Sequence, residues 1–149
     1  MKFAAFDVGS NTVLALVVEV VNGNLNQIAD FTRITRLGRG VDANGKLDPA
    51  SAKITLDAIV EMTGKARALG TEHIVGVATA ALRDASDGAA FIVQVKQLAG
   101  FDLEVITGET EAELSYLAVK RSLPLDPATK LLIVDIGGGS TELIRAEPG

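Results

Sequence analysis

Two short stretches of this 149-residue chain carry nearly the same message. Residues 6–11 are FDVGSN, and residues 134–142 are VDIGGGSTE. Each has an Asp, one apolar residue and a glycine, then small polar residues, all set between apolar runs. A turn of small residues leaves successive backbone N–H groups uncovered, and such a nest binds phosphate oxygens. Glycine adds close approach and access to unusual dihedrals. The acid before each turn, Asp7 and Asp135, repels phosphate unless a divalent cation lies between them. Mg²⁺ suits that place, because it takes one or two carboxylates and fills its remaining positions with water and phosphate oxygens. Two such turns facing each other would grip a phosphate chain from both sides. Asp and Gly are also ordinary turn residues, so the weight lies in the repetition and in the triple glycine of the second copy.

These turns need strands to hold them. KFAAFD and TVLALVVEVV are apolar and β-branched, and Gly-Ser-Asn between them predicts a hairpin. NGN at 22–24 predicts a second turn, with a third strand within 25–36. LGRGVDANGKLDP has no periodicity and reads as a loop. Asp48-Pro49 marks a helix start, with Asp as N-cap and Pro in the first turn. Leu56, Ile59, Thr63, Ala66 and Leu69 form its inward stripe, and Gly70 ends it. HIVGVAT predicts a short buried strand, a helix follows over about 86–99 up to Gly100, and LEVI predicts another strand. TGETEAELSYLAVKRSL predicts a third helix, with Leu114, Leu117 and Ala118 on one side and Pro124 closing it. KLLIVDI and STELIRA make a last hairpin around Gly137, Gly138 and Gly139. The order βββαβαβα followed by ββ predicts an α/β layered fold with a mixed sheet. The final hairpin looks like the opening one begun again.

Composition narrows the chemistry. The chain is 48% hydrophobic, enough for a core, and has a length usual for one domain. Its formal net charge of −5 argues against a nucleic-acid or anionic-membrane surface. With no cysteine, there is no disulfide, thiolate nucleophile or Cys-based zinc site. The single histidine, His73, reads as structural, since a lone histidine needs convergent partners to be a site. No signal peptide or membrane-length apolar run is visible, so a soluble cytoplasmic protein is expected.

The paired turns resemble the phosphate loops of the actin, hexokinase and Hsp70 superfamily. Within it the chain resembles the exopolyphosphatase / guanosine pentaphosphate phosphatase (Ppx/GppA) family. FAAFDVGSNTVLALVV, TRLGRGVDANGKLDPAS, VATAALRDASDGAAF, ITGETEAELSYLAV and LLIVDIGGGSTELI carry the likeness, in order and over essentially all 149 residues. The resemblance implies a ribonuclease H-like (actin-like ATPase) lobe over 1–123. Residues 124–149 would then be a connection and the first hairpin of a second, similar lobe, making the chain the N-terminal part of a longer enzyme. The stranded hairpin would pack on its own lobe, pair with a second copy or be poorly ordered.

The resemblance also implies roles. Gly9, Ser10 and Asn11 would form the first phosphate loop after Asp7, and Gly137, Gly138, Gly139, Ser140 and Thr141 the second. Asp135 and Glu142 match acids associated with the metal, with Asp7 as the third. Arg83 matches an arginine that contacts the phosphate substrate, which suits a bidentate guanidinium. Glu111 matches the catalytic base, although Glu109 and Glu111 also sit in the first turn of a helix capped by Thr107, where acids offset the macrodipole. Three positions depart from the family pattern: Asp87 where Asn is usual, Thr110 where an acid is usual, and Glu113 where a basic residue is usual. The implied activity is Mg²⁺-dependent hydrolysis of polyphosphate or guanosine pentaphosphate. The implied partners are that substrate, the second lobe and a second copy of the chain. A kinase or ATPase of the same superfamily, or a phosphate-sensing domain without turnover, are the alternatives.

Overall fold

The computed structural model describes residues 1–124, 126 and 129–146. Strand β1 (Lys2–Val8) turns into β2 (Thr12–Val21), which turns into β3 (Asn24–Ile34). Both pairings are antiparallel. The second turn is the expected Asn-Gly type: Asn22 and Gly23 sit at φ 51° and 79°, the left-handed pair that matches the strands' twist. Helices α1 (Val41–Asn44) and α2 (Pro49–Ala68) then lead to β4 (His73–Ala78). Helices α3 (Ala80–Asp84) and α4 (Gly88–Ala99) lead to β5 (Leu103–Val105). Both β4 and β5 join in parallel, and the sheet order is β3-β2-β1-β4-β5. Helix α5 (Gly108–Ser122) follows, then β6 (Leu131–Ile136) and β7 (Thr141–Ala146), which pair as a separate two-stranded sheet.

The mixed α/β layering agrees with the expectation, but the element order does not match in full. Two short helices, α1 and α3, interrupt βββαβαβα. The predicted loop over LGRGVDANGKLDP is wrong in one respect: it contains α1, and Leu37, Val41 and Leu47 all belong to the core. Its apolar residues are spaced for a folded-back segment, a pattern that no single helix or strand period detects. The helix expected from about residue 86 begins at Gly88, and the Asp87 carboxylate accepts the Leu47 N–H at 3.0 Å. HIVGVAT is less buried than expected, since only Gly76 and Ala78 of β4 are buried.

Alternation along the sheet divides its two faces. Ala4, Phe6, Val8, Val13, Ala15 and Val17 are buried on one face, in a cluster with Ile59, Met62 and Ala66 of α2 and Phe91, Val95 and Ala99 of α4. Helix α2 starts as predicted, with Asp48 Oδ2 accepting from Ser51 N–H at 2.9 Å and Pro49 in the first turn. The opposite face carries Ala5, Asp7, Leu14 and Leu16, and it opens onto the cleft described below. Among the described residues, no helix is long and apolar enough to cross a membrane.

Candidate active site

The two quoted turns are built alike. The Gly9 N–H donates to the Thr12 carbonyl at 3.0 Å, and the Gly137 N–H donates to the Ser140 carbonyl at 2.9 Å. In the first hairpin Asp7 pairs with Leu14; in the second Asp135 pairs with Glu142. The repeat is therefore geometric as well as textual, with one asymmetry. Where the second hairpin sets an acid opposite its Asp, the first sets a leucine.

The turns also touch. A Cβ on Gly139 would stand 2.6 Å from Ser10 Oγ, and one on Gly138 would stand 2.5 Å from Asn11 Cγ and Nδ2. None of Gly137, Gly138 and Gly139 is at positive φ, so unusual dihedrals are not what these positions require. Space is what they require. The carbonyls of the first turn are tied from behind: Thr35 and Arg36 N–H both donate to the Asn11 carbonyl, at 2.8 and 2.9 Å, and Gly38 N–H donates to that of Ser10 at 2.8 Å.

A cleft of about 650 Å³ lies between the turns and α5. It brings together most of the residues singled out from sequence. Asp7, Gly9, Ser10, Asn11, Glu111, Asp135, Gly137, Gly138, Gly139 and Ser140 all line it. Arg83, Thr141 and Glu142 are not in its lining. Arg83 stands on α3, behind Glu111. Its Nη1 donates to the Ile106 carbonyl at 3.1 Å and lies 3.9 Å from Glu111 Oε2, and its Nε lies 3.6 Å from Asp84. Thr141 points to solvent. Glu142 is half-buried, close enough to Glu111 to perturb it.

Helix α5 places Glu111. The Thr107 hydroxyl accepts the Thr110 N–H at 3.2 Å, capping the helix as expected. Glu111 then falls one turn in, facing the cleft. Its Oε2 is buried, with no hydrogen-bond partner among the described residues. Burial first, then the negative charge of Glu142, pushes the Glu111 carboxyl above the usual glutamate range; Asp7 and Asp135 add to this and Arg83 opposes it. Asp7 is exposed by area, but the surface it shows is the cleft wall. The protein around it, and then Asp135, raise its carboxyl as well. The site therefore gathers negative charge in one cleft, a state that an added cation relieves.

Several lining residues escaped the sequence reading. Thr79 follows the C-terminal end of β4, where open α/β sheets hold their ligands, and that rule could have pointed to it. Ser115 also lines the cleft and donates to Asp135 Oδ2 at 2.6 Å. Its signal was a spacing of four from Glu111, which puts both on one helix face. Ile106, Leu14 and Leu114 supply an apolar wall. His73 is not in the lining; its ring stacks on Phe3 at 5.3 Å.

Among the described residues, no three acidic or histidine side chains converge as a ready-made metal cage. Asp7 and Asp135 nonetheless face the same cleft and repel one another. Two carboxylates with open space between them match a hard cation that keeps most of its water and takes phosphate oxygens, so the donor set fits Mg²⁺.

Comparison with known proteins bears on the family and the overall fold. The model of the Ppx/GppA phosphatase family matches residues 16–148. A guanosine-5'-triphosphate,3'-diphosphate pyrophosphatase of Vibrio atlanticus is 35% identical over 145 residues, covering 97% of this chain and 29% of that protein. Exopolyphosphatase 2 of Mycobacterium tuberculosis is 34% identical over 155 residues, covering 98% of this chain and 48% of that protein. The crystal structure of an exopolyphosphatase from Cytophaga hutchinsonii superposes with a TM-score of 0.94 at 27% identity, covering 99% of this chain and 47% of that one. The chain thus spans less than half the length of these relatives.

Proposed function

The chain belongs to the Ppx/GppA phosphatase family, and from that premise we propose that it forms the catalytic half-site of a phosphoanhydride hydrolase acting on polyphosphate or guanosine pentaphosphate. The observation that carries the reading is Glu111. It is a carboxylate in the wall of a cleft flanked by two glycine turns, with one oxygen buried and without a hydrogen-bond partner among the described residues. An acid placed only to offset the helix dipole would face solvent, whereas Glu111 lies in the cleft wall with Arg83 no nearer than 3.9 Å. An acid held with a raised pKa is suited to taking a proton near neutral pH.

In the proposed reaction the terminal phosphate lies between the turns of Gly9–Asn11 and Gly137–Thr141. Glu111 orients a water and accepts its proton as the oxygen attacks the terminal phosphorus. The P–O bond to the bridging oxygen breaks in line. That oxygen leaves on the shortened chain or on the nucleotide, and inorganic phosphate is released. Developing charge on the transferring group is met by turn N–H groups, while Arg83, standing behind Glu111, tempers the charge of the base. Asp7 and Asp135, with Glu142 behind them, would hold Mg²⁺, whose positive charge offsets that of the phosphates. No covalent intermediate is needed. We read residues 1–123 as one lobe and 124–149 as a connection and the opening hairpin of a second, a reading that the separate β6-β7 sheet supports; residues 125, 127, 128 and 147–149 lie outside the described residues. The relatives that support this reading are an exopolyphosphatase and a pentaphosphate-directed pyrophosphatase.

The test is phosphate release from long-chain polyphosphate and from guanosine pentaphosphate, with and without Mg²⁺, by the longest natural form of the chain. Release from at least one substrate, dependent on Mg²⁺ and abolished by Glu111→Gln, is expected. Turnover of neither substrate by folded protein refutes the proposal.

A further inference from the structure

We propose that Ser115 is a positioning residue that holds Asp135 toward the cleft with one carboxylate oxygen engaged and the other free. This rests on the function proposed above and adds a residue to it.

The bond is short and its direction is determined. An ionised carboxylate only accepts hydrogen bonds, so the Ser115 hydroxyl donates. Its 2.6 Å length to Asp135 Oδ2 falls in the range of charge-assisted O–H···O⁻ bonds. Ser115 also stands four residues after Glu111 on α5, so one helix face carries both the proposed base and the tether of the opposite acid.

Asp135 needs such a tether. Glu142 sits directly across the hairpin from it, and like charges in that position repel. Asp7 faces it in the same cleft and is repelled in turn. A side chain pushed by two acids turns away from the cleft unless something anchors it. Ser115 supplies the anchor from α5 and occupies Oδ2. Oδ1 remains as the single oxygen of Asp135 offered to a cation, in keeping with an ion that takes few carboxylate oxygens and keeps its water. The same bond joins α5 to β6, so the base and the second phosphate turn keep a common spacing.

The experiment uses the longest natural form of the chain and two variants. Ser115→Ala removes the hydroxyl and improves helix propensity, so it is expected to fold. Ser115→Thr keeps the hydroxyl. Mn²⁺ binding without substrate, followed by electron paramagnetic resonance, should weaken by roughly 10- to 100-fold in Ser115→Ala, the range for losing the outer partner of a metal ligand. Ser115→Thr should recover most of it. In hydrolysis assays the Mg²⁺ concentration for half-maximal rate should rise in Ser115→Ala, with kcat at saturating Mg²⁺ much less affected. Mn²⁺ affinity within twofold of wild type in Ser115→Ala overturns the inference, as does an equal loss in Ser115→Thr, which would point to packing rather than the hydroxyl. If wild type itself hydrolyses neither substrate, the proposed function fails, whatever the Mn²⁺ titration shows for Ser115.

Discussion

Arg83 Nη1 lies 3.9 Å from Glu111 Oε2 while it donates to the Ile106 carbonyl at 3.1 Å. One guanidinium thus braces the strand end that leads into α5 and opposes the rise in the Glu111 pKa caused by burial and neighbouring acids. In Arg83→Met, Glu111 loses its attractive charge and its carboxyl rises further. The acid limb of kcat/KM should then move to higher pH, because the base must be ionised to act. A pH–rate profile checks this. A higher KM with an unmoved acid limb would show instead that Arg83 acts only on the substrate.

Glu111→Gln should lower turnover by roughly 10²–10⁴-fold, the span for loss of a general base. It should not destabilise the fold. The folded-state pKa of Glu111 is raised, so the stability contributed by its neutral form is complete below the ordinary glutamate pKa and is lost as pH rises through the raised value. The glutamine stays neutral throughout. The variant should match wild type at about pH 4 and exceed it in stability at about pH 8, on either side of that window. Urea denaturation at the two pH values is the measurement.

Gly138→Val should impair both stability and phosphate binding. Its Cβ would fall 2.5 Å from Asn11 Nδ2, and overpacking of this kind costs about 1–3 kcal/mol. The two turns would be forced apart, and affinity for a short polyphosphate should fall in isothermal titration. Asn11→Ala in the same molecule removes the closest atoms and should recover part of the lost stability. Unchanged affinity in folded Gly138→Val would mean that turn contact does not shape the site.

Thr107→Ala removes the cap that accepts the Thr110 N–H and should cost about 1 kcal/mol. Helix α5 buries none of its residues, so it has little packing to compensate. The expected result is a lower midpoint in urea at constant slope, with a reduced kcat because Glu111 stands in the loosened first turn.

The features legible in the sequence are those closed within a few residues. Asn22-Gly23 requires a left-handed pair and obtains it. Asp48 finds its donor three residues on, at Ser51, and Thr107 finds Thr110 in the same way. The repeated Asp and glycine turns announced two like hairpins, and the register bears that out. Such bonds form between neighbours whatever the rest of the chain does, so local residue types are enough to specify them.

Long-range placement was decided only in the tertiary structure. The sheet order β3-β2-β1-β4-β5 depends on burying Ala4, Phe6 and Val8 beneath α2 and α4, elements far apart in sequence. Leu37, Val41 and Leu47 became core because the segment folds back, not because they follow a period. Motif matching could name Arg83, but could not show that its Nη1 is spent on Ile106 and that it stands behind Glu111 rather than in the cleft lining. Nor could it pair Ser115 with Asp135, or press Gly139 against Ser10. The sequence by itself determined which chemical groups this protein possesses and the turns and helix starts that carry them. Their distances and shared charges arise from packing between separate elements, and packing is a property of the whole folded chain.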